Sequence, residues 1–558
     1  MQKKYVVGLD YGTLSGRAVV VSCEDGKVLA SSVKAYEHGV LNSVLPGGEV
    51  LPAGEWALQV PQDYLDVLQT IVPEAVKKSG ISSEDIIGLG IDFTSCTILP
   101  VNKHKEPLCM LGPFKREPHA YVKLWKHHGA QKQADKINAV LEKRGEINKP
   151  QYGGKISSEL MLPKILQIVE EAPEVYGEAD QILEAGDWLT QCLTDSNMRS
   201  ADMAGYKALW NARTGYPSRS FLKELSPMLE NLAKEKLDGK VAMAGESTGS
   251  LTAQWSDKLG IPEGIPVAAA LIDSHAGIPG SGVMSPDQMM MVVGTSSVML
   301  ALSDREYSKN GVVSGVRGAV FPGSYALESG IAAVGDMLGW FVDHMVPETY
   351  LKKAEECGKN IHTYLSDKAC ESIPGESGLI ALDWWNGNKT PYVDGRLSGV
   401  LVGCTLDTKP EEIYRALIEA TAFGTRKILE LFTEAGADIR MIIASGGIAE
   451  KNPFFMQIYA DVLDREIRIS DTDQTAALGS AVYAAVAAGA DAGGYNSIQE
   501  AVNQMSHLKD YVYHPKAENV ERYNRIFEIY NELVELFNPQ KVHIMEKIAE
   551  FYRSKNVI

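Results

Sequence analysis

The chain has 558 residues with 54 Lys+Arg against 72 Asp+Glu, a formal charge of −18; single hydrophobic cores stop growing at about 250–300 residues, so two large domains are expected. With 45% hydrophobic and 23% charged residues the composition is ordinary for a globular protein and excludes disorder, collagen and coiled coil. The acidic balance excludes nucleic acid and anionic membrane as natural partners, because both are bound through an excess of Lys and Arg.

Taken in chain order, the apolar stretch Tyr5-Val6-Val7-Gly8-Leu9 stops at Asp10, too soon for a signal peptide, and reads as a first strand. A second strand follows from Arg17 across the link Gly12-Thr13-Leu14-Ser15-Gly16, and Glu24-Asp25-Gly26-Lys27 turns the chain again, which makes a β-meander. Tyr64, Leu65, Leu68, Ile71 and Val72 recur at helical spacing, and residues 86–92 read as a buried strand, so the first domain is α/β. Residues 115–235 are mostly helical in pattern, broken at Gly153-Gly154, Pro163, Pro173 and Gly215-Tyr216-Pro217. Two Gly and two Pro in the segment 259–266 place the domain boundary near residue 258, giving domains 1–258 and 259–558.

The second half repeats the syntax of the first, since residues 290–300 run strand, Gly294-Thr295-Ser296, strand, which implies a duplicated architecture. A long helix over 410–435, a strand over 441–444, a Gly-Gly turn and another helix follow, and the tail from about Ser497 reads as helical and charged. The longest small-apolar run, 481–488, falls short of a membrane span of about 20 residues. Seven cysteines, odd in number and without a C-x-x-C pair, fit neither a disulfide framework nor a zinc site, and a cytoplasmic protein is expected.

Chemistry concentrates at the turns. Asp10, Gly12, Thr13, Ser15 and Arg17 supply what a phosphate site needs: close backbone approach, hydroxyl donors, a guanidinium and a strand-end carboxylate able to hold Mg²⁺. Taken alone, an ordinary polar hairpin would look the same; a second such turn at Gly294, Thr295 and Ser296 favours two clamps on one polyphosphate. Gly446 and Gly447, at another strand's carboxyl end, leave room for a flat ring or ribose, with Asn452 as a helix cap and Gln457 facing either solvent or nucleotide. Neither the P-loop pattern nor the dinucleotide fingerprint occurs.

Asp273 ends the apolar run 267–272, where a carboxylate is costly unless used, and reads as a base or as a helix cap. Asp92, Ser95 and Cys96 form another strand end suited to a polyol, while Lys207 and Glu328 are lone charges in apolar surroundings, sugar ligands or buried ion-pair members alike. His275 reads as structural or cleft-lining, His127-His128 as a solvated face, and Asp383-Trp384-Trp385-Asn386 as a loop that could stack on a sugar or anchor itself.

Together, the two Gly-Thr turns, Asp273, Ser445-Gly446-Gly447 with Asn452 and Gln457, Pro163-Lys164-Ile165-Leu166 and the stretch 476–481 resemble the FGGY carbohydrate kinases of the actin-like ATPase superfamily, over residues 6 to about 490. The segments Asp92-Phe93-Thr94-Ser95-Cys96-Thr97, Leu124-Trp125-Lys126-His127-His128 and Asp394-Gly395-Arg396 are similar to members acting on ribulose, and Phe93 and Cys96 depart from the glycerol and xylulose pattern. The resemblance implies two ribonuclease-H-like domains, each with a mixed central sheet flanked by helices, and an active site in the interdomain cleft. It implies ATP and Mg²⁺, with transfer of the γ-phosphoryl group to ribulose in L-arabinose breakdown. By matching position Asp273 is the base and Asp10 the magnesium-side carboxylate. Gly12, Thr13, Ser15, Arg17, Gly294, Thr295 and Ser296 are the phosphate contacts, and Gly446, Gly447 and Asn452 the adenosine contacts. Asp92, Ser95, Cys96, Lys207, Asp273 and Glu328 are the sugar candidates. A family kinase acting on D-ribulose, xylulose or ribitol, an actin-like ATPase without a sugar, and a silent sugar-binding regulator are the rival readings, and the oligomeric state is open, a homodimer included.

Overall fold

The computed structural model describes residues 3–52, 54–145, 151–307 and 309–555. The chain divides into two units, neither continuous in sequence. The first takes the chain to Met284, Ser314–Ala326 and Gln474–His507; the second takes Ser285–Val313, Leu327–Asp473 and the chain from Leu508 on.

In the first unit β1 (Tyr5–Tyr11) pairs antiparallel with β2 (Ser15–Ser22), and β2 with β3 (Val28–Ala35). Helix α1 (Pro61–Ser79) starts on a proline, whose missing N–H costs nothing at the first helical position, and stops at Gly80 in the left-handed conformation. It returns the chain to β4 (Ile86–Phe93), parallel to β1 and buried at all eight residues, as a central strand covered on both faces must be. Later in the chain come helices α2 (Met161–Glu171) and α3 (Ala201–Lys207), strands β5 (Ser247–Ser250), β6 (Pro266–Ala268) and β7 (Leu271–Ile272), and helix α4 (Asp273–Ser281). The sheet order is β5-β6-β4-β1-β2-β3, with β7 also paired to β4.

The helix Thr475–Ala488 closes this sheet, about 200 residues after β7. A Cβ at Gly8 would sit 2.1 Å from the carbonyl of Ala477, and one at Gly90 1.9 Å from that of Ser480. Glycine in the strands and alanine in the helix therefore set how closely the two layers approach. A smaller sheet of Leu58–Gln59, Val122–Lys123, Ile98–Val101 and Gln181–Glu184 adjoins a second core around Ile98, Ile165 and Leu166.

A boundary near residue 258 is not where the chain divides. The apolar run 267–272 pairs with β4 as β6 and β7, so the Gly/Pro-rich segment before it is a turn inside the first unit, and the chain passes to the second unit at Ser285.

The second unit opens, as the repeated syntax implies, on a hairpin of β8 (Gln288–Val293) and β9 (Ser297–Ser303), flanked by β10 (Tyr325–Ile331). β11 (Met441–Ser445), β12 (Glu466–Ser470) and β13 (Leu508–Tyr513) complete the order β10-β9-β8-β11-β12-β13; β8, β11 and β12 run parallel and β13 antiparallel. Helices α5 (Pro410–Glu434), α6 (Gly447–Lys451) and α7 (Pro453–Leu463) pack on it over a core that includes Met289, Met291, Phe423 and Tyr459. β13 interrupts the tail that reads as helical; as an edge strand exposed over Lys509–Tyr511 it has no apolar face to announce it. No helix among the described residues is long and apolar enough to cross a membrane.

Candidate active site

The register of β1 sets Asp10 opposite Arg17 on β2 and beside Asp92 on β4. Arg17 Nη1 lies 3.9 Å from Asp10 Oδ2. Burial lifts Asp10 above the usual carboxylate range, offset in part by Asp92 beside it and by the Arg17 guanidinium. Burial, then the charge of Asp10, hold Asp92 far higher; the Ser480 hydroxyl, 2.7 Å from Oδ2, pulls the other way and Asp273 adds to the rise. Asp92 Oδ1 is buried without a hydrogen-bond partner. Three carboxyl groups thus stand within electrostatic reach of one another, an arrangement that a cation relieves.

No group of three or more acidic, cysteine or histidine side chains among the described residues forms a ready metal cage. Mg²⁺ does not need one, since it is normally held by one or two carboxylates together with substrate phosphates and water. The pair Asp10 and Asp92, with an oxygen left unpartnered, fits that requirement.

The turn joining β1 to β2 is tied from below. Gly12 N–H donates to Ser15 O (3.1 Å), Tyr36 Oη to Gly12 O (2.9 Å) and Gln59 Nε2 to Thr13 O (2.8 Å). Trp125 Nε1 donates to the Thr13 hydroxyl at 3.1 Å. Gln59 and Trp125 lie far from the turn in sequence; Trp125 falls in the segment 124–128 that carries part of the resemblance, but nothing there points to the turn, and Gln59 has no motif at all.

Asp273 is the first residue of α4, and its Oδ1 accepts the N–H of Ser274 at 2.6 Å. Asp273 is half-buried, and because Ile272 occupies the cap position and no side chain caps the helix, the helix-cap reading of Asp273 is not what the structure shows. His275, by contrast, is fully buried and faces Asp202, as a structural histidine should.

The sugar candidates separate. Asp92 is fully buried, with Oδ2 accepting from the Ser480 hydroxyl and the Asp10 carboxylate beside it. Cys96 adopts φ 51° and turns its thiol into the second core, where burial pushes it up to about 12; its carbonyl accepts Lys164 Nζ at 2.5 Å. Ser95 remains half-buried between them. Lys207 ends α3, and its charge acts on Cys96 and Glu184, which brings it beside the loop that follows β4. Glu328 stands half-buried on β10 of the second unit, its backbone bridged to Val313.

In the second unit, Gly294 N–H donates to Ser296 O (2.9 Å), and the carbonyls of Gly294 and Thr295 accept from Val334, Gly335 and Asp336. The turn's carbonyls are thereby turned inward, leaving Thr295 exposed and Ser296 half-buried. Gly446 has φ 95° and a Cβ there would lie 2.5 Å from Val293 O, so only glycine fits. Asn452 caps α7 through Phe455 N–H (3.0 Å) and donates to Ser366 Oγ (3.1 Å).

Gly447 and Asn452 line a cavity of ≈ 470 Å³ with Leu338, Ser366, Tyr414 and Phe454. That volume is in the range of small-ligand sites, and the lining sets apolar side chains such as Leu338 and Phe454 beside polar ones such as Asn360, Asp367 and Lys451, which suits a nucleoside. The lining residues between 335 and 414 could not be read from sequence, because they meet the Gly-Gly turn only in the fold. Gln457 is not part of this cavity; its amide ties Asp461 to the carbonyl of His514.

His127 is not on a solvated face: it is fully buried, bonded to Gln167 at 3.0 Å, with burial lowering its pKa to about 2. In the loop 383–386, Trp384 lies in the second unit's core and Asp383 accepts from Tyr530 Oη at 2.9 Å, as the anchoring alternative implies.

Residues 5–280 match the N-terminal domain and residues 289–488 the C-terminal domain of the FGGY family of carbohydrate kinases. A ribulokinase of Halalkalibacterium halodurans is 46% identical over 548 residues, 98% of this chain and 97% of that protein. A ribulokinase of Mycolicibacterium smegmatis is 43% identical over 555 residues, 98% of this chain and 97% of that protein. Among solved structures, a xylulose kinase from Rhodospirillum rubrum superimposes with a TM-score of 0.80 at 21% identity, covering 96% of this chain and 99% of that one. Plasmodium falciparum glycerol kinase with ADP gives 0.75 at 18% identity, covering 96% and 98%. At these identities the two structures establish the fold.

Proposed function

The chain belongs to the FGGY family of carbohydrate kinases, and from that premise we propose that it transfers the γ-phosphoryl group of ATP to the 5-hydroxyl of L-ribulose, releasing L-ribulose 5-phosphate and ADP. The observation that carries the acceptor is the 46% identity, over 548 residues, to a ribulokinase.

Phosphoryl transfer through a loose transition state asks a protein for in-line placement and charge neutralisation, with little covalent chemistry. Asp273 takes the proton of the attacking hydroxyl as its oxygen bonds to the γ-phosphorus and the bond to the β-phosphate's bridging oxygen breaks. Arg17 carries the positive charge that the leaving polyphosphate requires, and Thr13, Ser15, Thr295 and Ser296 offer hydroxyl and backbone donors to phosphate oxygens. Asp10, next to Asp92, would hold Mg²⁺, which when bound supplies charge neutralisation at the phosphates. The cavity at Gly446, Gly447 and Asn452 takes the adenosine. Ser95, Lys207 and Glu328 contact the sugar, with Asp92 and Cys96 shaping the backbone beneath it. An ATP-consuming enzyme with seven unpaired cysteines belongs in a reducing, ATP-bearing compartment, and the cytoplasm is the place this reading gives it.

The test is ADP release by the purified protein with Mg²⁺ and ATP against L-ribulose, D-ribulose, D-xylulose, L-xylulose, ribitol, glycerol and no sugar. Release that depends on L-ribulose is the expected result. Release indifferent to every sugar would make the protein an ATPase, and ATP binding without turnover would make it a sugar-binding regulator.

A further inference from the structure

Asp202 and His275 take no part in the reaction as described, yet both are fully buried and face each other, His275 Nδ1 lying 2.7 Å from Asp202 Oδ1. The second carboxylate oxygen, Oδ2, accepts the backbone N–H of Ile272 at 2.8 Å. One carboxylate therefore grips the chain on both sides of Asp273, at the residue before it and at the residue two after it. A buried acid is costly unless its oxygens are engaged, and here both are engaged by the groups that bracket the base.

The helix that carries Asp202 is itself anchored. The Ser200 hydroxyl caps α3, accepting from Asp202 N–H at 3.1 Å and Met203 N–H at 3.4 Å, while Ser200 N–H donates to Asp187 Oδ1 at 2.7 Å. One turn on, Tyr206 donates to the carbonyl of Ala326 at 2.6 Å and packs its ring on His275 with centroids 4.5 Å apart. Helix α4 has no such device of its own, since its cap residue is Ile272 and no side chain caps its first turn. Its entry is set from outside, by Asp202.

We propose that Asp202, acting with His275, is a positioning residue that holds Asp273 where it can take the acceptor's proton; this rests on the reading of Asp273 as the base. A misplacement of about 1 Å in a reacting group costs about 100-fold in rate, so loss of the grip falls on turnover. A buried ion pair that merely stabilised the fold would lower the melting temperature and leave turnover per folded molecule intact.

The experiment compares wild type, Asp202→Ala, Asp202→Asn and His275→Ala by thermal melting, ATP affinity, and kcat and KM with L-ribulose. Asp202→Ala is expected to lose about 10- to 100-fold in kcat, with both KM values within about twofold of wild type. Asp202→Asn should regain most of that loss, because its amide oxygen can accept from Ile272 while its amide nitrogen donates to the other tautomer of His275. Should Asp202→Ala fail to fold, His275→Ala decides, with an expected fall of about tenfold in kcat at unchanged KM. A kcat within twofold of wild type in the alanine variants, a loss confined to KM, or an asparagine variant as impaired as the alanine one overturns the proposal. A wild type that leaves ATP intact with L-ribulose overturns the reading of the reaction, and the proposal with it.

Discussion

Asp273 is the proposed base, and its surroundings support that reading. It begins a helix, lies half-buried, and adds its charge to a carboxylate pair already lifted by burial. Removing its basicity while keeping its shape should leave nucleotide binding alone, because the cavity proposed for adenosine is lined by residues of the second unit. Asp273→Asn is therefore expected to bind ATP within about twofold of wild type by calorimetry and to lose about 10²–10⁴-fold in turnover. Unchanged turnover would remove Asp273 from the mechanism. The three acids of the cluster were legible in the sequence because a carboxylate at the end of an apolar strand is costly and so conspicuous. Asp202 was not, since in Ser200-Ala201-Asp202-Met203 nothing marks it and only the fold brings it to His275. His127 deceived for the converse reason: a polar pair beside lysines reads as surface, while burial came from tertiary contacts with Trp56 and Gln167.

Among the elements, the helix Thr475–Ala488 does most to hold the reactive strands in place. It lies on β1 and β4 through glycines and crosses α4, the helix that begins with Asp273, at a second glycine contact. A Cβ on Gly479 would stand 1.7 Å from the carbonyl of Ala276, and one on Gly280 1.9 Å from that of Thr475. Backbone cannot yield as a flexible side chain can, so overpacking here should cost about 1–3 kcal/mol or more. Gly479→Ala is expected to melt well below wild type. Gly339→Ala, in an open position of the helix Gly335–Met345, should melt at or above it by virtue of helix propensity alone. Equal melting of the two variants would mean that the close approach is not what requires glycine. The stretch 476–481 was legible as part of the family resemblance, but the contacts of this helix with Gly8, Gly88 and Gly90 depend on pairing across more than 380 residues, which local pattern cannot reach.

At the scale of the whole molecule, the duplicated opening was legible and the division of the chain was not. A Gly-Thr turn between β-branched runs announces a hairpin locally, and both hairpins are present. Each unit, however, is assembled from three stretches of chain, so no single boundary residue exists to be found, and punctuation at 259–266 marks only a turn. Within each unit the same holds for the candidate residues: phosphate turns and strand-end acids have local signatures, whereas the cavity wall at Leu338, Ser366 and Tyr414 has none. The molecule as a whole moves a phosphoryl group from ATP to one hydroxyl of a sugar. The most direct test is to incubate the protein with Mg²⁺, ATP and L-ribulose and to locate the phosphorus by ³¹P–¹H correlation NMR. The account predicts a phosphate ester on carbon 5 in amount equal to the ADP formed; inorganic phosphate in place of the ester, or an ester on another carbon, would contradict it.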